Sequence, residues 1–144
     1  MIVAYKDEYK QDFLNICQEM HEESRFSIYN ISQDKLINLT KNPNCFVALS
    51  YKDKTPVGAF VGVVTEMWFS SDKAGYDLFV YVKPKNRGGM TAVRLIKKFE
   101  DFCKANNAKT INLGSSAEIA TESAKRLYKK LGYKECGFLS HKEI

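Results

Sequence analysis

The fold is organised around the stretch VYVKPKNRGGMTA, residues 80–92, in which an apolar run is followed by a turn and then by an amphipathic segment. This pattern predicts a strand that leads directly into a helix. The first N–H groups of a helix have no partners within it, and the helix dipole adds positive potential there. Gly88 and Gly89 would let a ligand approach the main chain, and Lys85 and Arg87 would add positive charge. The stretch therefore predicts a phosphate or pyrophosphate site, although two glycines alone are equally consistent with a plain turn.

The segments on either side of this stretch predict alternating strands and helices. Before it, aromatic and β-branched runs at 45–51, 57–69 and 75–82 predict a hairpin and a third long strand, all covered on both faces. After it, apolar residues at helical spacing predict a helix to about residue 105, followed by a short strand at 110–114. A strand–helix–strand unit of this kind places its two strands parallel.

The two ends of the chain complete the predicted sheet and its helices. A short first strand is predicted at 2–4, with helices at about 7–22 and 32–40. An apolar stripe near the C-terminus predicts a further helix, and Gly132 is well placed as the residue that ends it. The tail from 133 to 141 predicts one or two closing strands.

Composition excludes several classes of protein. The 144 residues include 22 Lys and Arg against 17 Asp and Glu, but the basic residues are scattered, which makes a nucleic-acid partner unlikely and suits an anionic small ligand. The four cysteines form no CxxC pair, so the sequence predicts free thiols and no metal site. No apolar segment approaches the ~20 residues of a membrane span, and the N-terminus lacks a signal peptide core. A cytoplasmic protein is expected.

A second motif, AKRLYKKLGY (residues 124–133), follows the glycine turn by about 40 residues. The two motifs in this order resemble those of the GNAT superfamily of N-acetyltransferases, R/Q-x-x-G-x-G/A after a strand and later A-x-x-L-Y-x-x-x-G-F/Y. The matching residues are RGGMTA (87–92) for the first motif, and Ala124, Leu127, Tyr128, Gly132 and Tyr133 for the second. Met90 departs from the pattern, since it stands where the family usually has a motif glycine, and Thr121 stands where many members have Asn.

The resemblance implies a single α/β domain over residues 1–144. Its central mixed sheet would be mostly antiparallel, with about six to seven strands, about four flanking helices and a splayed parallel pair of strands at the coenzyme site. Acetyl-coenzyme A would be the co-substrate, with its pyrophosphate on the main-chain N–H groups after Arg87 and its pantetheine arm along the preceding strand. The residues implied in coenzyme binding are Val80, Tyr81, Val82, Arg87, Gly88, Gly89, Met90, Thr91 and Ala92. Because Met90 replaces a glycine, either the loop path differs or Gly89 makes the close approach.

The resemblance also implies direct transfer of the acetyl group to a primary amine. Tyr128 matches the family's usual proton donor to the departing thiolate, and a core tyrosine is the plain alternative. The general base is left open between two carboxylates, Glu66 near the end of one strand and Asp77 within the next. Glu22 and Glu23 would attract a cationic amine.

Other functions stay open at this point. Met90 gives some weight to a non-catalytic module that binds acyl-coenzyme A on the same fold. A basic nucleic-acid-binding domain is the weaker alternative. The acceptor is open between a polyamine, an amino sugar, a peptide N-terminus and a protein lysine. Family members are often dimers, so a homodimer is one expected partner arrangement.

Overall fold

The chain folds as one mixed sheet with helices on both faces, as the computed structural model of residues 1–144 shows. Its elements are β1 (Ile2–Ala4), α1 (Lys10–Glu23), α2 (Gln33–Lys41), β2 (Cys45–Lys52), β3 (Thr55–Glu66), β4 (Lys73–Val82), α3 (Thr91–Ala105), β5 (Ala108–Asn112) and α4 (Thr121–Lys130). The strands lie in chain order, antiparallel from β1 to β4, with β5 parallel to β4. This architecture confirms the predicted α/β class, the four helices and the parallel pair. None of the helices has the length and apolar composition needed to span a membrane.

The number of strands was predicted wrongly. The sheet has five strands rather than six to seven, because the tail after α4 forms no strand. Gly137 adopts a left-handed φ of 69°, which interrupts the extended run, and Tyr133 donates its N–H to the end of α4 instead of to a neighbouring strand. The apolar tail residues find no buried face, since the Phe138 side chain is 95% exposed.

Apolar side chains on both faces of the sheet form two cores, as expected for central strands. One core joins α1 to the sheet and contains Phe13, Ile16, Cys17, Val47, Leu49, Ala59, Val61 and Tyr81. The other joins α3 to the opposite face and contains Ala48, Phe60, Val64, Leu95, Ile96, Phe99 and Cys103. Alternate residues of β2 and β3 supply both cores, which explains why those strands read as continuous apolar runs.

Two glycines let α3 lie close to the sheet. A Cβ at Gly62 on β3 would overlap the ring of Phe99, and a Cβ at Gly75 on β4 would overlap the sulfur of Cys103. Because real Cβ atoms do not approach other atoms so closely, larger residues here would push α3 outward. The position of the helix that follows the glycine turn is therefore fixed by packing against β3 and β4.

Candidate active site

A gap opens between β4 and β5 partway along their length. The two strands pair only from Lys73 with Ala108 to Tyr76 with Asn112, whereas β4 continues to Val82. At the point where pairing stops, Asp77 accepts a hydrogen bond from the N–H of Gly114 through Oδ1, at 3.1 Å. The carboxylate thus satisfies a donor that a continued ladder would have paired, and the chain after β5 turns away. We call the space beyond Asp77 the β4–β5 gap.

The pattern of hydrogen bonds decides which main-chain groups of β4 face this gap. The N–H of Lys83 donates to the carbonyl of Val57 at 2.9 Å, and the register pairs Tyr81 with Ala59. Because hydrogen-bonded and non-hydrogen-bonded pairs alternate in an antiparallel ladder, Tyr81 directs its main chain to β3. Val80 and Val82 direct theirs into the β4–β5 gap. Of the three strand residues predicted to pair with a ligand, two therefore present their main chain to the gap.

The glycine loop, which we define as residues 87–92, leaves six consecutive N–H groups without acceptors in the protein. The N–H of Arg87 still donates to Pro84, and the first bond of α3 runs from Arg94 to Met90 at 3.0 Å, so the N–H groups of residues 88–93 are free. Gly88 adopts φ of 89°, a conformation that favours glycine. Free donors at the positive end of a helix form a site for an anion.

Arg87 does not point its guanidinium freely toward these N–H groups. Its Nη2 donates to both carboxylate oxygens of Glu23, at 2.9 and 2.8 Å, and its Nε donates to the carbonyl of Val82 at 2.8 Å. The same carboxylate accepts the hydroxyl of Tyr81 at 2.8 Å. Burial, and then this bond to Glu23, raises the pKa of Tyr81. In this structure the guanidinium of Arg87 is thus held in an ion pair with α1.

Tyr128 and Asp77 are far apart in sequence, but both form a hydrogen bond with the main chain of Gly114. The hydroxyl of Tyr128 donates to the carbonyl of Gly114 at 3.2 Å, while Asp77 accepts the N–H of the same residue. Burial raises the pKa of Asp77 to about 6, against the lowering effect of the Gly114 bond. Burial also raises the pKa of Tyr128, and the charge of Asp77 raises it further. The start of the β4–β5 gap therefore holds a carboxylate that titrates near neutrality beside a phenol that stays protonated.

The end of α4 fixes the orientation of Tyr128. Gly132 has φ of 94°, and its N–H donates to Lys129 at 3.1 Å, while the N–H of Tyr133 donates to the carbonyl of Tyr128 at 2.9 Å. These two bonds form a Schellman motif, which confirms the prediction that Gly132 ends the helix. Leu127, one residue before Tyr128, packs against the α3 core. Tyr128 is thus held in place by the hydrogen bonds at the end of α4 and by the packing of the neighbouring Leu127 against the core.

The other predicted carboxylates lie elsewhere. Glu66 is the last residue of β3, is exposed, and pairs in register with Lys73. Lys73 precedes Asp77 by four residues of extended chain, about 13 Å. Glu22 is exposed and accepts a bond from Gln18 at 2.9 Å. The structure therefore brings Asp77, but not Glu66, to the β4–β5 gap.

The turn after α1 contacts the segment that follows Gly114. Arg25 donates its main-chain N–H to Ala117 at 3.1 Å and its Nε to the carbonyl of Ser116, so the turn Arg25–Ile28 is fastened to the segment that follows Gly114. A cavity of about 350 Å³ lies against this turn and is lined by Ile28, Tyr29, His141, Lys142, Glu143 and Ile144. Sequence reasoning missed the contribution of Arg25, because the contact joins residues 91 positions apart.

Comparison with solved structures places this fold among acetyltransferases. The chain aligns over 100% of its length, at 14% identity, with 97% of the apo aminoglycoside antibiotic 6'-N-acetyltransferase AAC(6')-IG from Acinetobacter haemolyticus, with a TM-score of 0.77. It aligns equally fully, at 14% identity, with 99% of a ribosomal-protein-alanine N-acetyltransferase from Brucella melitensis biovar Abortus 2308, with a TM-score of 0.75. Aminoglycoside N-acetyltransferase AAC(6')-Iy, solved in complex with CoA, gives a TM-score of 0.79 at 10% identity, with 100% of this chain and 98% of that one covered.

The sequence itself gives the family. A search of curated protein sequences gave no significant match. The sequence profile of the Acetyltransferase (GNAT) family, in contrast, matches residues 5–133, a range that includes both motifs and every element from α1 to α4. Because this match spans most of the chain and agrees with the fold, the chain belongs to the GNAT acetyltransferase family.

Proposed function

We propose that this chain is an N-acetyltransferase that moves an acetyl group from acetyl-coenzyme A to a primary amine. The observation that carries the proposal is that three features follow one another along the edge of β4. The free N–H groups of residues 88–93 follow directly on the unpaired edge of β4, and that edge leads back to the Asp77–Gly114–Tyr128 cluster. Family membership and a related fold solved with CoA support the same assignment.

In this proposal each part of the edge binds a different part of the coenzyme. The N–H groups at the start of α3 bind the pyrophosphate, because they combine free donors with the positive end of a helix dipole. The main-chain groups of Val80 and the N–H of Val82, which face the β4–β5 gap, pair with the amides of the pantetheine arm, as an added strand would. The thioester then lies toward Asp77 and Tyr128.

The chemical step needs a neutral amine and a stabilised leaving group. Tyr128 donates a hydrogen bond to the thiolate as the carbon–sulfur bond breaks, and its raised pKa keeps the donor proton in place. Its present bond to Gly114, at 3.2 Å, is long for an O–H···O bond, so the hydroxyl can exchange it for the sulfur at little cost. Asp77 accepts the proton that the amine releases, directly or through one water.

Binding of acetyl-coenzyme A is the first test. At 100 times its Kd, the coenzyme should stabilise the protein by about 2.7 kcal/mol and raise its melting temperature by roughly 10 °C. Calorimetry should detect the heat of the same binding event. Millimolar coenzyme without heat and without a change in melting temperature would refute the proposal.

Turnover separates the enzyme from a non-catalytic coenzyme-binding module. Release of free thiol should be followed with a panel that includes a polyamine, an amino sugar, a peptide N-terminus and a lysine peptide. We expect at least one amine to raise thiol release well above the rate of hydrolysis. Binding without any amine-dependent release would favour the non-catalytic module.

The titration of Asp77 should appear in the pH profile of the reaction. Because burial raises its pKa to about 6, the base is protonated and inactive below that pH. We expect the rate at saturating acetyl-coenzyme A, corrected for the fraction of the amine that is neutral, to rise about tenfold per pH unit below pH 6 and to flatten above it, where the carboxylate is ionised. Asp77→Asn should lower the rate and remove this inflection, whereas Glu66→Gln should retain it. The same inflection in Asp77→Asn would show that another group titrates.

A further inference from the structure

We infer that Glu23 is a positioning residue for the coenzyme, acting through Arg87, and that Arg87 holds the glycine loop in place rather than binding phosphate itself. The inference rests on the proposed function, because it concerns how the coenzyme site is held. It assigns a role to an α1 residue that lies outside both sequence motifs. It also reverses the expectation that a carboxylate beside an anion site opposes binding.

Three separate segments meet at the Arg87 guanidinium. Glu23 is the last residue of α1 and accepts two bonds from Nη2, and Val82 is the last residue of β4 and accepts the bond from Nε. Arg87 itself opens the glycine loop. The bonds at Nε and Nη2 fix the plane of the guanidinium relative to both α1 and β4. The path of the loop that follows is set by this arrangement.

Tyr81 also contacts both members of the Glu23–Arg87 ion pair. Its side chain is only 3% exposed, its hydroxyl donates to Glu23 Oε1 at 2.8 Å, and the guanidinium carbon of Arg87 lies 5.5 Å from its ring centroid. The Glu23 carboxylate therefore accepts three hydrogen bonds from two partners. A second ion pair, between Lys83 and Glu19 at 3.5 Å, joins α1 to the same end of β4 one helical turn earlier.

Two interpretations of the ion pair predict opposite changes in the strength of coenzyme binding when the Glu23 charge is removed. If Arg87 were a phosphate ligand held back by Glu23, then Glu23→Gln would free the arginine and remove a negative charge near a polyanion, so coenzyme would bind more tightly. If Glu23 positions the loop through Arg87, the same change loosens the N–H groups of residues 88–93, and binding weakens. The direction of the change alone decides between them.

The test is the Kd of coenzyme A, measured by calorimetry well below the melting temperature of every variant. We expect Glu23→Gln to weaken binding about tenfold, because the guanidinium loses a charge-assisted partner. Arg87→Lys should weaken it to a similar extent, since an ammonium keeps the charge but not the fixed fork. Glu22→Gln removes the same charge from the neighbouring position, whose carboxylate contacts only Gln18, and should leave Kd unchanged.

Two further measurements separate positioning from a general loss of stability. A merely structural Glu23 would lower the melting temperature of the free protein without changing Kd at low temperature. The variant Glu23→Gln/Arg87→Lys should bind about as weakly as either single variant, because both act through one contact. Tighter or unchanged binding by Glu23→Gln, or normal binding by Arg87→Lys, would overturn the inference. Failure of the unaltered protein to bind coenzyme would instead refute the proposed function.

Discussion

Replacing Tyr128 by phenylalanine is expected to slow acetyl transfer by about 10²- to 10³-fold, a loss typical of removing one hydrogen-bond donor from charge that develops in the transition state. The Kd of acetyl-coenzyme A should change by less than about twofold, because the hydroxyl acts on charge that develops only as the thiolate leaves. Single-turnover release of thiol at saturating coenzyme and amine measures the first quantity. Calorimetry in the absence of amine measures the second.

The fold should tolerate this change. The Tyr128 hydroxyl makes one bond of 3.2 Å, whereas its ring packs against the α3 core and its carbonyl accepts the N–H of Tyr133. Phenylalanine keeps the ring and the carbonyl. Tyr133→Phe is a matched control, since its ring centroid lies 6.1 Å from that of Tyr128 and the chemical change is identical. Equal rates for Tyr128→Phe and the unaltered protein would remove Tyr128 from the mechanism.

The parts of the structure that were predicted correctly depend on local sequence. Gly132 ends α4 because a left-handed residue is needed after the last turn, and this requirement is visible in ten residues of sequence. The strand, glycine turn and helix from Val80 onward are likewise local. The predicted start of α2 near residue 32 is also local, since the hydroxyl of Ser32 accepts the N–H of Lys35 at 3.3 Å and caps the helix.

The parts that sequence reasoning missed depend on contacts between distant segments. Glu23 and Arg87 are 64 residues apart, and nothing local indicates that this arginine turns toward α1 instead of toward a phosphate. The choice between Glu66 and Asp77 depends on where β5 stops pairing, which strand patterns do not specify. The tail was predicted to form one or two strands, but a strand also needs a neighbour to pair with.

Met90 is the position where the sequence departs from the family pattern, and its neighbour Gly89 makes the departure testable. Met90 occupies the place of a usual motif glycine, yet it has φ of −95°, which any residue adopts, and its side chain is 54% exposed. A Cβ added at Gly89 would meet no atom within 4 Å, and this glycine is not in the left-handed region. The absence of a side chain at Gly89 is thus not required by the fold. We infer that it leaves room for the pyrophosphate.

Gly89→Val should therefore weaken coenzyme binding by more than about 100-fold, because the side chain displaces the pyrophosphate from at least two charge-assisted N–H bonds. The free protein should melt within about 2 °C of the unaltered one, as expected for a surface substitution without strain. Met90→Ala is the control, since position 90 already carries an exposed side chain, and it should bind normally. If the coenzyme instead approaches position 90, Gly89→Val will bind normally and Met90→Gly will bind more tightly. Calorimetry with these variants thus decides which residue makes the close contact that the family assigns to its motif glycine.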